Sequence, residues 1–305
     1  MQGGRVLSAS NGPRGKGREM TISVVIPIGD RAVYRACRAS MQDSIGKMPD
    51  GLCSWELVEV FDDARRGVAW ARNEGVRRAT GDYVAWVDCD DVVTESWATA
   101  IAQGLLEANA GTPTDVLVFD ARAEWLDGRP GYDLVYGRPA GDVPPDMFAR
   151  DVIGATCAGG WLWNKVFRRE LFAGREFVGN AFQDYRMLCD LLPDVRHVRY
   201  VPERLYVYRR SKTGISQYVN RAASYEALRG LIELSYMRKD AYAPIMRRGI
   251  AVQIADFCRH AGGEPVLRAF LRSQLCNVCL SREVSFRGKM KCAIEAFKFW
   301  RGGIR

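Results

Sequence analysis

With 305 residues, 48% hydrophobic and 26% charged, the chain can bury a sizeable core and reads as an ordinary globular protein, which excludes a disordered or fibrous one. Its formal charge of +8 favours anionic partners such as nucleotides or phospholipid headgroups, without choosing among them. No apolar run approaches the roughly 20 residues a helix needs to span a bilayer, no secretory signal is visible, and nine scattered cysteines suit a reduced, cytoplasmic setting.

Residues 1–20 are rich in Gly, Arg and Ser and are expected to form a disordered tail. Thr21 to Ile28 is a continuous β-branched apolar run, the habit of a strand covered on both faces, and Pro27 predicts that it stops there. A helix is expected from about Arg31 to Ile45, then a strand over Trp55 to Phe61. Val68, Ala71, Gly75 and Ala79 share one helix face. A strand from Tyr83 to Val87, a helix from about Glu95 to Asn109 and a strand from Asp115 to Arg122 follow. This β-α-β alternation predicts an α/β fold with a mostly parallel sheet and helices on both sides. Residues 126–219 are less regular, with aromatic strands expected at Trp161 to Phe167 and Leu205 to Tyr208, and residues 220–305 read as helical.

Ligands of such sheets bind at the carboxyl ends of the strands. Asp30, Asp62, Asp63, Asp88, Asp90 and Asp91 all follow predicted strands. Acids on three strand ends are hard to explain as packing. Asp88 and Asp90 project from one face if the chain stays extended there, which suits a divalent cation held by one or two carboxylates while a diphosphate supplies further oxygens. A solvated turn capping the next helix is the plain alternative for these acids taken alone. Arg72, and Arg209 or Arg210, are candidates to contact the diphosphate, or else solvated surface charges.

Ile22 to Pro27, Trp55 to Asp63, Gly67 to Gly75 and Gly81 to Asp91, in that order, resemble family 2 glycosyltransferases of the GT-A fold. A second block agrees: Trp163 to Phe172, Gln183-Asp184, Leu205 to Arg209 and Thr213 to Ser216, a pattern like that of bacterial members that build surface polysaccharides. The resemblance implies an inverting transfer from a nucleotide-diphosphate sugar, with UDP-sugars favoured, to a saccharide or lipid-linked acceptor, with Mn2+ or Mg2+ as cofactor. It divides the globular part into a nucleotide-sugar half, 21–125, an acceptor half, 126–219, and a helical extension, 220–305. It maps the Asp-x-Asp motif onto Asp88 and Asp90 as metal ligands. Pro27, Asp30, Asp62, Asp63, Arg72, Asp88 and Arg209 become the expected donor-binding set. The Glu-Asp motif falls on Gln183-Asp184, so Asp184 is the expected catalytic base. Asp184 also opens an apparent helix from Tyr185 and is read alternatively as its N-cap. Asp62-Asp63-Ala64-Arg65 stands where the family has Asp-Asp-Gly-Ser, and the following segment is short, which leaves base preference open. A non-catalytic nucleotide-sugar-binding relative and a nucleotidyltransferase are the competing readings; no nucleic-acid recognition module is evident.

Trp161, Trp163, Tyr206 and Tyr208 are read as a sugar-facing wall or, more simply, as core, with Trp161 the most exposed. Cys276-x-x-Cys279 with Cys258 and His260 departs from zinc spacing and is read as ordinary buried thiols; His197 is assigned no chemistry. Residues 281–305 carry seven Lys or Arg against two Glu, with Phe286, Met290, Ile294, Phe297 and Trp300 at helical spacing. This segment is either an amphipathic helix lying on an anionic membrane face, which makes the protein peripheral to the inner membrane, or a terminal helix packed on the domain.

Overall fold

The computed structural model describes residues 6–7, 19–108, 112–153, 160–179, 181–211, 221–237, 241–261, 265–281, 284 and 286–302. Its strands are β1 (Val6–Leu7), β2 (Thr21–Ile28), β3 (Ser54–Phe61), β4 (Tyr83–Trp86), β5 (Val92–Val93), β6 (Val116–Trp125), β7 (Tyr132–Leu134), β8 (Gly141–Val143), β9 (Lys165–Arg168) and β10 (Val198–Arg210). Its helices are α1 (Arg31–Gly46), α2 (Val68–Arg78), α3 (Trp97–Ala108), α4 (Pro145–Ile153), α5 (Gln183–Leu191), α6 (Arg221–Met237), α7 (Ala243–Ala261), α8 (Pro265–Leu280) and α9 (Phe286–Gly302).

All ten strands join one sheet in the order β1-β3-β2-β4-β9-β6-β10-β5, with β7 on β6 and β8 on β10. β2 pairs in parallel with both β3 and β4, and β6 with β10. β9 runs against β4 on one side and β6 on the other, so β3, β2, β4, β6 and β10 all point the same way. The β-branched run of β2 is buried from Ile22 to Ile28, as a central strand sandwiched by helices requires. Apolar residues of its two faces feed two separate cores, Val25 joining one and Ile22, Val24 and Ile26 the other. Gly75 lets α2 sit directly on β2: a Cβ there would lie 2.1 Å from Val25 Cγ1.

Several expectations need correction. Val6 and Leu7, expected in a disordered tail, pair with Glu56 and Trp55 on the edge of β3; most of that tail lies outside the described residues. β2 continues past Pro27 to Ile28, because Pro27 needs no donor where its side of the ladder ends. The strand expected from Trp161 is confined to Lys165–Arg168, residues 161–164 being a turn that leads into it. The C-terminal helices pack as a bundle in which α7 contacts α6, α8 and α9 and reaches α4. Cys258 is buried there, but Cys276 and Cys279 are exposed on α8, contrary to the reading of all three as buried. Among the described residues no group of His, Cys, Asp and Glu is placed to hold a metal in a closed cage, and the His260 side chain lies outside them. His197 is exposed. No described helix is long and apolar enough to cross a membrane.

Candidate active site

The site is built at the carboxyl ends of β2, β3 and β4. After β2, Asp30 becomes the N-cap of α1, its Oδ1 accepting from the Ala32 N–H at 2.8 Å. Pro27 is buried within β2 opposite Val60. After β3, Asp62 folds the short connection to α2 around itself: Oδ1 accepts from Arg66 N at 2.9 Å and Oδ2 from Gly67 N at 2.7 Å. Asp63 points outward to an exposed ion pair with Arg31 at 2.9 Å. Asp62 thus holds the loop together, while Asp63 lies on the surface.

The premise of an extended Asp88-to-Asp90 segment fails. β4 ends at Trp86, and the chain turns at once, with Asp91 N donating to Asp88 O at 3.1 Å. Asp90 is exposed at the rim and Asp88 half-buried. Asp91 does the opposite and turns back under the sheet. Its carboxylate accepts from the Tyr206 hydroxyl and from Arg209 N, both at 2.7 Å. The Tyr206 hydroxyl in turn accepts from Asp88 N at 3.1 Å. Burial, and then the charges of Asp88 and Asp90, push the Asp91 carboxyl up to about 8. Asp91 is thus the anchor that ties the acidic turn to β10, a role the run of acids did not reveal.

Arg72, buried on α2, closes the opposite wall. Its Nη2 lies 3.3 Å from Asp88 Oδ1 and its Nη1 donates to Gln183 Oε1 at 2.8 Å. The buried Gln183 opens α5, with Asp184 next to it. The structure therefore brings Arg72, Asp88 and Asp184 together, although 112 residues separate the first from the last in sequence. The N-cap of α5 is Phe182, in left-handed backbone at φ 52°, not Asp184, which lies inside the first turn and accepts from Tyr185 N at 2.9 Å. A non-glycine residue held in this conformation beside a functional candidate marks a backbone fixed by its surroundings. Asn73, next to Arg72 on α2, exchanges two hydrogen bonds with the Phe177 backbone at 2.7 and 2.9 Å. Desolvation raises the Asp184 carboxyl above the ordinary range, the Arg72 charge and the Tyr185 N–H oppose this, and Asp88 adds to it.

Lys165 was not singled out from sequence. It is fully buried at the start of β9, where Nζ donates to Trp161 O and Asn164 Oδ1, each at 2.7 Å. Burial lowers its ammonium to about 7, against the opposing pull of Asp184. Beside it the four aromatic rings stack: Trp161 on Trp163 at 5.1 Å, Trp163 on Tyr206 at 4.7 Å and on Tyr208 at 5.6 Å. Trp163 and Tyr206 are core, and Trp161 is the half-buried outer end of the ladder. Burial and then the Asp88 charge raise the Asp90 carboxyl, and Arg209 on β10 is close enough to oppose them.

The donor set is consistent with a hard divalent cation in an open site. Asp88 and Asp90 offer carboxylate oxygens on one turn, burial raises the Cys89 thiol between them and so disfavours the thiolate a soft ligand needs, and Asp91 is committed to Tyr206 and Arg209.

Sheet order and carboxyl-edge acids define an α/β domain of the GT-A type. S. aureus TarS, residues 1–349, superimposes with a TM-score of 0.58 at 14% identity, covering 92% of this chain and 89% of that one. TarS in complex with UDP-GlcNAc superimposes at 0.57. The model of glycosyl transferase family 2 matches residues 41–172. EpsH of Bacillus subtilis (strain 168) is 24% identical over 169 residues, 52% of this chain and 46% of that protein. The glycosyltransferase GlyG of Streptococcus pneumoniae serotype 4 is 27% identical over 167 residues, 51% and 53% respectively. The chain spans about half the length of these curated relatives.

Proposed function

We propose that this protein is an inverting, divalent-metal-dependent glycosyltransferase that moves a sugar from a nucleotide-diphosphate donor to a hydroxyl of a glycan or lipid-linked glycan, in surface polysaccharide synthesis on the cytoplasmic side of the membrane. The observation that carries this reading is the single guanidinium of Arg72 shared between Asp88 and Gln183, which sets the acidic turn against the start of the helix bearing Asp184. UDP-sugars are the favoured donors, the class with which TarS was solved.

Asp88 and Asp90 would hold Mn2+ or Mg2+, which when bound supplies positive charge to the leaving diphosphate. The chain's own groups do the rest. Asp62 and its loop form the floor toward the nucleoside, and Arg72 and Arg209 add positive charge near the departing phosphates. Asp184 accepts the proton of the acceptor hydroxyl, and burial, which raises its carboxyl, strengthens it as a base. One base suffices for direct displacement, because a diphosphate leaves without needing a proton from an acid. Trp161, at the open end of the aromatic ladder, offers an apolar face to a sugar ring.

The test is a panel of UDP-, GDP- and TDP-sugars screened for thermal stabilisation with Mn2+ and after chelation with EDTA. A donor at a hundred times its Kd stabilises the native state by about 2.7 kcal/mol. Stabilisation by one nucleotide class that disappears on chelation, followed by donor turnover, supports the reading. Binding without turnover in any acceptor or hydrolysis assay would make the protein a non-catalytic relative.

A further inference from the structure

Over its described side chains α9 presents its large apolar residues to the outside. Gly288, Cys292 and Glu295 recur every three to four residues and are buried, and this stripe of small or polar side chains is the one that packs on α7 and α8. Cys292 Sγ lies 3.6 Å from Ala251 O of α7. The large apolar residues sit on the far side of the helix: Phe286 is 79% exposed, Met290 44% and Ile294 41%. An amphipathic helix that only packed on its domain would bury these three and expose the others.

The charges complete the pattern. α9 carries five Lys or Arg and a single acid, Glu295, which is buried. At 3.6 residues per turn, Arg287 and Lys291 fall along one margin of the exposed stripe and Lys289 along the other. Long basic side chains beside an apolar stripe can place their charges at phosphate level while their stems cover hydrocarbon. Leu280, 84% exposed at the end of α8, adds to the apolar surface just before α9 begins.

We infer that the outer face of α9 docks on an anionic phospholipid surface, Phe286, Met290 and Ile294 entering the headgroup–acyl boundary with Arg287, Lys289 and Lys291 over the lipid phosphates. A second copy of the chain is disfavoured as occupant, because a symmetric pairing of this face sets basic margins against basic margins. The inference rests on α9 alone, and vesicle binding is read without donor or acceptor, so it stands or falls separately from the transfer reaction.

The experiment is flotation of the full chain with vesicles of phosphatidylcholine, with and without phosphatidylglycerol, alongside light scattering for oligomeric state. The wild type floats only with the anionic vesicles. Phe286→Ser/Met290→Ser/Ile294→Ser weakens binding by at least about tenfold. Arg287→Gln/Lys289→Gln/Lys291→Gln weakens it on the order of a hundredfold. Melting curves of both variants, with Phe286→Ser alone at the 79% exposed position as a second apolar variant, separate loss of lipid contact from loss of the bundle. Three outcomes overturn the inference: wild type left at the bottom with anionic vesicles, undiminished flotation of the apolar variant, or a wild-type dimer that the apolar variant converts to monomer.

Discussion

Arg72 Nη2 meets Asp88 Oδ1 at 3.3 Å, and the same guanidinium holds Gln183. This forked contact needs two donors at a fixed spacing on one rigid group, which an ammonium does not supply. Arg72→Lys is therefore expected to lower kcat/KM by about a hundredfold, near 2.7 kcal/mol of transition-state stabilisation. Steady-state kinetics at saturating metal checks this; activity within a factor of about three of wild type would contradict the role.

Asp184→Asn keeps the acceptor oxygen for Tyr185 N and removes the base. Transfer is expected to fall by about 10²–10⁴, with donor affinity nearly unchanged by calorimetry. Near-normal turnover would refute the assignment.

The raised Asp184 carboxyl also makes a statement about pH. A carboxyl whose folded pKa exceeds its unfolded value stabilises the fold below the unfolded value, about 3.9, and that contribution is lost as pH rises through the folded value. At neutral pH the burial of Asp184 is thus a cost to stability, and Asp184→Asn melts above wild type. The gap closes in acid. In wild type the transfer rate declines with falling pH at a higher pH than for an ordinary aspartate base. Melting curves of both proteins from about pH 4 to 8 decide it, and a variant that melts below wild type at the upper end contradicts the argument.

Gly75→Ala sets two effects against each other. Ala gains about 1 kcal/mol of helix propensity over Gly. The added Cβ would come within 2.1 Å of Val25 Cγ1, on a side chain with no exposed surface, and overpacking of that kind costs about 1–3 kcal/mol. The clash wins, and denaturant unfolding should show net destabilisation; equal or greater stability would show that α2 can ride up off β2.

What could be read from sequence follows from range. β2 and the helices α1, α2 and α3 announce themselves by local pattern, because burial on both faces or on one stripe is written into consecutive residues. β9 is legible only in part: the expected strand over Trp161 to Phe167 overlaps it, but its place between β4 and β6 depends on partners about 50 and 80 residues away. Asp91 looks like Asp88 and Asp90 until Tyr206, 115 positions on, supplies the hydroxyl that draws it inward. Lys165 reads as a surface charge until the fold encloses it. In α9 the pattern tells which face is apolar but not which face is covered, and Phe286, Met290 and Ile294 are the exposed ones.

β9 has a mechanical consequence. It is hydrogen-bonded to β4, just ahead of the acidic turn, and to β6 on its other edge, so an unbroken ladder runs between the region that would hold the donor and the region that would hold the acceptor. Sliding or hinging one region against the other would tear that ladder. The two substrates must then meet across a rigid platform, and whatever movement admits them falls to the segments that rise from its rim.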